Sequence, residues 1–122
     1  MANYGRVDKR AENASVSVAA GTTAEIISIP IPPHCRLRLK DFGNYIDIVA
    51  AWSLVSWSFL HNGRPIPQPF DLIRDQIGYA AQRQPVQELE LSSGVLAING
   101  TNGAAVAVAM GISLGYELIY QE

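Results

Sequence analysis

Three side chains in this sequence have the chemistry of nucleophiles or soft metal ligands: His34, Cys35 and His61. A structural zinc site draws four ligands mainly from cysteine and histidine, and a catalytic one three. The supply here is short of either. His34 and Cys35 are consecutive, and on a strand consecutive side chains leave by opposite faces. A Cys–His nucleophilic pair would have to bring His61 to Cys35 from a distant part of the chain. The competing reading is a small thiol buried in a core. Carboxylate pairs can also be drawn, Asp71 with Asp75 and Glu88 with Glu90. Converging carboxylates do acid–base work. The first pair, however, sits in a proline-flanked segment beside Arg74, and the second on the polar face of an alternating run, so both read as solvated surface. Asp41-Phe42-Gly43 echoes a kinase metal-binding triplet, with no other kinase part around it. The glycines at 100 and 103 lie between strands and open no helix, so they offer no phosphate cradle. No catalytic residue, metal site or cofactor is expected.

The elements that would position such groups are strands. Val16 and Val18 alternate with serines, Gly21-Thr22-Thr23 reads as a turn, and Ile27, Ile29 and Ile31 alternate up to Pro32-Pro33. Cys35, Leu37 and Leu39 face one way, and Arg36, Arg38 and Lys40 the other. Gly43-Asn44 is expected to break this run. A longer β-rich stretch then covers 45–60, with Trp52 and Trp57 on opposite faces because their spacing is odd. His61-Asn62-Gly63-Arg64 carries the strongest short hairpin signal, Asn-Gly between apolar runs. Three prolines, at 65, 67 and 69, keep the next segment irregular or at a sheet edge, and one short helical turn is placed between 70 and 77.

Leu89 and Leu91 alternate, Ser92-Ser93-Gly94 turns the chain into 95–98, and the cluster from Asn99 to Gly103 reads as a second tight turn. In the last segment Val106, Val108, Met110, Ile112, Leu114, Tyr116, Leu118 and Tyr120 share one face. A bend or bulge is expected at Gly111 or Gly115, since so long a straight strand outgrows a small domain. About eight strands with frequent turns specify an all-β fold, a single antiparallel sandwich of jelly-roll-like form. The division expected is a short flexible N-terminal arm over 1–14 and the sandwich over 15–122.

With 122 residues, 48% of them hydrophobic and 16% charged, the chain suits one domain with a core of its own. This composition excludes general disorder, and a single cysteine excludes a disulfide scaffold. A formal net charge of −2 argues against a uniformly basic, nucleic-acid-binding surface. The polar start has no signal-peptide core, and no apolar stretch reaches the ~20 residues of a membrane helix. The expectation is a protein made outside any secretory route, with the triplets Asn13-Ala14-Ser15 and Asn99-Gly100-Thr101 unglycosylated.

Three features point to contact. Arg36, Arg38 and Lys40 form a basic ridge, read either as a solvated or edge-protecting face or as a dock for an acidic partner. Ala105, Ala107, Ala109 and Gly111 form a small-residue face, read either as close packing inside the sandwich or as an oligomer interface. The proline-rich stretch from 64 leads into 71–83 with little periodicity, and Phe70 and Tyr79 there are either partner anchors or part of a packed loop.

In general pattern residues 15–122 resemble the small β-sandwich virion proteins of bacteriophages, the head-decoration or cement proteins and related jelly-roll capsid components. The resemblance rests on Gly21-Thr22-Thr23 before residues 26–31 and Pro32-Pro33, on the run 57–66 around His61-Asn62-Gly63, and on Gly115-Tyr116-Glu117-Leu118. It implies a non-enzymatic structural subunit made in the host cytoplasm and seated on the capsid exterior. It also implies the major capsid protein as partner, a symmetric homo-oligomer with a trimer favoured, and an N-terminal arm that reaches a neighbour. No catalytic residues, nucleic acid or membrane enter that picture. The alternative is a carbohydrate-binding β-sandwich module using Trp52, Trp57 or Tyr79.

Overall fold

The computed structural model describes residues 4–66, 84–85 and 89–121. Its strands are β1 (Tyr4–Val18), β2 (Thr23–Ile31), β3 (Cys35–Ile46), β4 (Val55–His61), β5 (Arg64–Pro65), β6 (Gln84–Pro85), β7 (Glu90–Leu91), β8 (Gly94–Asn102) and β9 (Val108–Gln121). A 3₁₀ helix over Val49–Leu54 is the one helical element among the described residues. No helix there is long and apolar enough to cross a membrane.

Every pairing is antiparallel, and period-two patterning gives each of the two sheets one apolar face. Sheet A runs β1-β9-β3, with β6 and β7 both pairing β3; sheet B runs β2-β8-β4-β5. β6 meets β3 at Phe42↔Gln84 and β7 meets it at Leu37↔Leu91, so the two act as one interrupted edge. Counted so, eight strands alternate between the sheets except at the β4–β5 hairpin. This is the antiparallel sandwich expected from the sequence. Asn62 and Gly63 take the hairpin turn with φ of 54° and 79°, the left-handed pair that an Asn-Gly turn supplies.

The core lies between the sheets. Leu37, Leu39, Phe42, Met110, Ile112 and Leu114 descend from sheet A, and Ile29, Val55, Trp57, Phe59, Leu96 and Ile98 rise from sheet B. Phe42 and Phe59 meet edge to face at 5.3 Å across the layers, worth roughly 0.5–1.5 kcal/mol beyond their area burial. Two bulges tune this inward set. The register of β2 on β8 slips between Glu25 and Ile27, which adds Ile26 to the core. The register of β3 on β9 slips between Leu39 and Asp41, so Lys40 is the extra residue and the inward parity changes from Cys35, Leu37 and Leu39 to Phe42, Asn44 and Ile46. The irregularity expected at Gly115 therefore lies opposite it, on β3.

Several expectations are corrected. Residues 4–14 are strand, not arm: β1 pairs with β9 from Tyr4↔Gln121 to Val18↔Val108. An edge strand needs apolar residues only where the opposite sheet covers it, so a polar sequence suffices for its outer half. Gly43-Asn44 does not end β3, because β9 continues alongside at Gly43↔Ser113 and Asn44↔Ile112. The cluster from Asn99 to Asn102 is the end of β8, held between β2 and β4, and the turn comes after it. The stretch 45–60 is divided by the 3₁₀ helix, so strand parity does not relate Trp52 to Trp57.

Candidate functional site

The residues with nucleophile or ligand chemistry are set to separate tasks. Cys35 is a buried thiol opening β3. His34 is exposed in the turn before it, with φ of 63°, and its carbonyl accepts from the Gln121 N–H at 2.9 Å. His61 ends β4, its Nε2 3.0 Å from the Ser92 carbonyl oxygen. Among the described residues no three His, Cys, Asp or Glu side chains are grouped to hold a metal ion. Trp57 is fully buried and has no face for a sugar ring. Phe70, Tyr79, the Asp71–Asp75 pair, Glu88 and the helical turn placed over 70–77 lie outside the described residues.

The basic ridge is present and is shared with two carboxylates. Arg36, Arg38 and Lys40 stand on the outer face of sheet A, opposite in sense to Cys35, Leu37 and Leu39. Arg38 reaches Glu90 with both Nε and Nη2, at 3.1 and 2.8 Å, a forked contact across the β3–β7 pair. Arg36 is 3.8 Å from the same carboxylate. Glu117 of β9 lies 3.6 Å from Arg38 and 4.0 Å from Lys40, with only 14% of its side chain exposed. The β3 bulge keeps Lys40 on the outer side with Glu117, beside a depression also lined by Lys9. Lys9 is opposite Glu117 in the β1–β9 register. Asp41 adds a third carboxylate over Gly115, so four cations surround three anions and the patch is net positive by one. Exposed ion pairs of this kind contribute little to stability, typically below about 1 kcal/mol each.

Glu90 is legible in the sequence as a polar residue and Glu117 as part of a final motif, but their partnership with the ridge is not. It depends on β7 and β9 flanking β3, which no local pattern announces.

The four small residues do not form one surface. Asn102, fully buried, donates from Nδ2 to the carbonyls of Val18 (2.9 Å) and Val106 (2.8 Å) and accepts from the Ala104 N–H (2.8 Å). That clamp curls the chain before β9 begins, so Ala105 and Ala107 are exposed on a loop next to Val106. The Gly103 N–H donates to the Leu54 carbonyl at 2.8 Å, which brings the exposed Leu54 to the same uncharged tip. Ala109 and Gly111 belong instead to the outer face of sheet A. The Ala109 N–H donates to Asp47 Oδ1 at 2.9 Å, and the Tyr45 ring lies on Gly111, where any Cβ would collide with it. From there the Tyr45 hydroxyl donates to Asn13 Oδ1 on β1 at 3.0 Å.

No protein-family model matches the sequence, and no curated protein matches it. Among solved structures, the chain is similar to one from the acid-stable capsid of Helicobacter pylori bacteriophage KHP30, with 9% identity, a TM-score of 0.49, and coverage of 96% of this chain and 95% of that one. It is also similar to a de novo designed double-stranded β-helix solved by NMR, with 14% identity, a TM-score of 0.32, and coverage of 84% of this chain and 97% of the design.

Proposed function

We propose that this chain is a non-enzymatic virion structural protein, a decoration subunit that sits on the outside of a bacteriophage capsid and binds the major capsid protein. The reading rests on the resemblance carried by the turn and strand motifs above. The observation that carries it further is the outer face of sheet A. There Arg36, Arg38, Lys40 and Lys9 outnumber Glu90, Glu117 and Asp41, on a face stiffened by pairing across β1, β9 and β3. A rigid, net-positive face is suited to an acidic lattice. Charge complementarity sets the docking register, and many weak copies on a shell add up to firm attachment.

The test is binding to undecorated capsids by co-sedimentation. The triple variant Arg36→Glu, Arg38→Glu, Lys40→Glu is expected to bind at least about tenfold more weakly. Because reversal also sets new carboxylates against Glu90 and Glu117, the neutral triple variant with glutamine at the same positions serves as its partner. It should lose part of the binding while its circular dichroism stays that of the parent. Unchanged binding by both variants would exclude this face as the dock.

A further inference from the structure

The open side of β1 is the longest unpaired edge among the described residues, and it carries an ordered charge row. β1 has 15 residues, contains no proline, and among the described strands pairs only with β9. Its Asp8, Arg10 and Glu12 fall opposite Leu118, Tyr116 and Leu114 in the register, so they lie on the inward face of sheet A. Arg6 joins that face, stacked 4.2 Å over the Tyr120 ring and 3.2 Å from Asp8. Arg6, Arg10 and Glu12 are exposed, whereas Val18 at the other end of the strand is fully buried. The opposite sheet covers only the second half of β1.

We infer that β1 pairs antiparallel with β1 of a second copy of this chain, about a two-fold axis at Lys9. Of the two-fold registers along β1 this one alone makes two opposite-charge pairs on the inward face; centring on Val7 or Ala11 makes one, Arg6 with Asp8 or Arg10 with Glu12. An antiparallel pair centred on Lys9 sets Arg6 against Glu12 and Asp8 against Arg10, each twice by symmetry. Opposite charges directly across a ladder are stabilising, and like charges are not. Centring on Asp8 instead would oppose Arg6 to Arg10 and Asp8 to itself; centring on Arg10 would oppose Asp8 to Glu12 and Arg10 to itself. On the outer face the axis brings two Lys9 side chains together, and each has Glu117 of its own β9 as its other neighbour.

Sheets that avoid such pairing keep their edges short, break them with proline or a bulge, or place lysines and inward-pointing charges along them. β1 is long and proline-free; its Lys9, its inward charges and the register shift between Tyr4 and Val7 bar indiscriminate pairing, while the alternating signs make the pairing centred on Lys9 complementary. The contact joins the two A sheets into one and leaves the core untouched.

The test is absolute mass by light scattering after size exclusion, with circular dichroism as the check on folding. The parent should run at twice 13.2 kDa. Asp8→Arg alone sets a second guanidinium against Arg10 in both symmetric pairs, and Arg10→Glu alone sets a carboxylate against Asp8, so each single variant should be a folded monomer. The swap Asp8→Arg with Arg10→Glu restores opposite pairs and should restore the dimer. Mixing the two monomeric single variants should also restore it, because each then supplies the charge that the other lacks. A parent that is monomeric, or that runs at three times 13.2 kDa, overturns the inference. So does a dimer indifferent to these charges, or single variants that fold yet fail to combine. None of these outcomes depends on capsid binding, so the decoration reading is judged separately.

Discussion

The Asn102 carboxamide ties the end of β8 to β1 through the Val18 carbonyl and to the loop before β9 through Val106 and Ala104. The side chain is fully buried, so removing it leaves carbonyl and amide groups unsatisfied. Asn102→Ala is expected to lower the unfolding free energy by about 2–4 kcal/mol, measured by chemical denaturation. A loss under about 1 kcal/mol would mean that water replaces the amide. Tyr116 is a second single-residue case. Its hydroxyl donates to Glu12 Oε1 at 3.3 Å, and burial first, then the Glu12 charge, raises its pKa above the ordinary value. The folded state therefore favours the neutral phenol. That contribution is complete below the unfolded value of about 10 and is lost as pH rises through it toward the folded one. Between about pH 8 and about pH 11 the stability of the parent should fall more steeply than that of Tyr116→Phe. Parallel slopes would assign the alkaline loss to other groups.

At the level of elements, the glycines of β9 show why a strand can carry residues that usually break one. Gly111 is the seat for Tyr45, which crosses it from β3 to reach Asn13 on β1. Gly115 gives the same room to Asp41. A side chain at 111 forces the ring away, so Gly111→Val should cost about 1–3 kcal/mol, the usual range for overpacking, read from thermal unfolding. In a Tyr45→Ala background the same substitution should cost clearly less, since the collision is gone; full additivity would show that the two residues do not interact. In the sequence these glycines mark a bend. Period and composition reveal that a glycine is tolerated at a position, but not which neighbour occupies the space above it. The Asn62-Gly63 turn is readable because its cause is local: two consecutive left-handed residues. The cluster from Asn99 to Gly103 reads as a turn yet runs as strand through Asn102, because turn-forming residues are allowed inside a strand that is paired on both sides, as β8 is by β2 and β4.

For the whole molecule, the arrangement of the sheets sets the two contact surfaces side by side, meeting at Lys9. The ridge uses the outer face of sheet A at β3, and the proposed two-fold uses the edge at β1, with β9 between them. Two copies joined at β1 would therefore present two ridges on one continuous sheet, and both could engage a repeating lattice at once. The uncharged tip around Leu54 and Val106 lies apart from both, where the β8–β9 loop meets the 3₁₀ helix.

The sequence by itself determined the all-β class, the hairpin at Asn62-Gly63, the inward set of β3 up to Leu39 and of β9 from Val108, and the outward ridge. Each follows from alternation or from the backbone demands of a few consecutive residues. Only the tertiary structure decided that residues 4–14 are strand, that Glu90 and Glu117 share the ridge, that Asn102 sends Ala105 and Ala107 to a tip, and that Tyr45 roofs Gly111. These depend on which strands become neighbours. Pairing between β1 and β9, at opposite ends of the chain, is worth its loop-closure entropy only once the whole core forms, and nothing local records it.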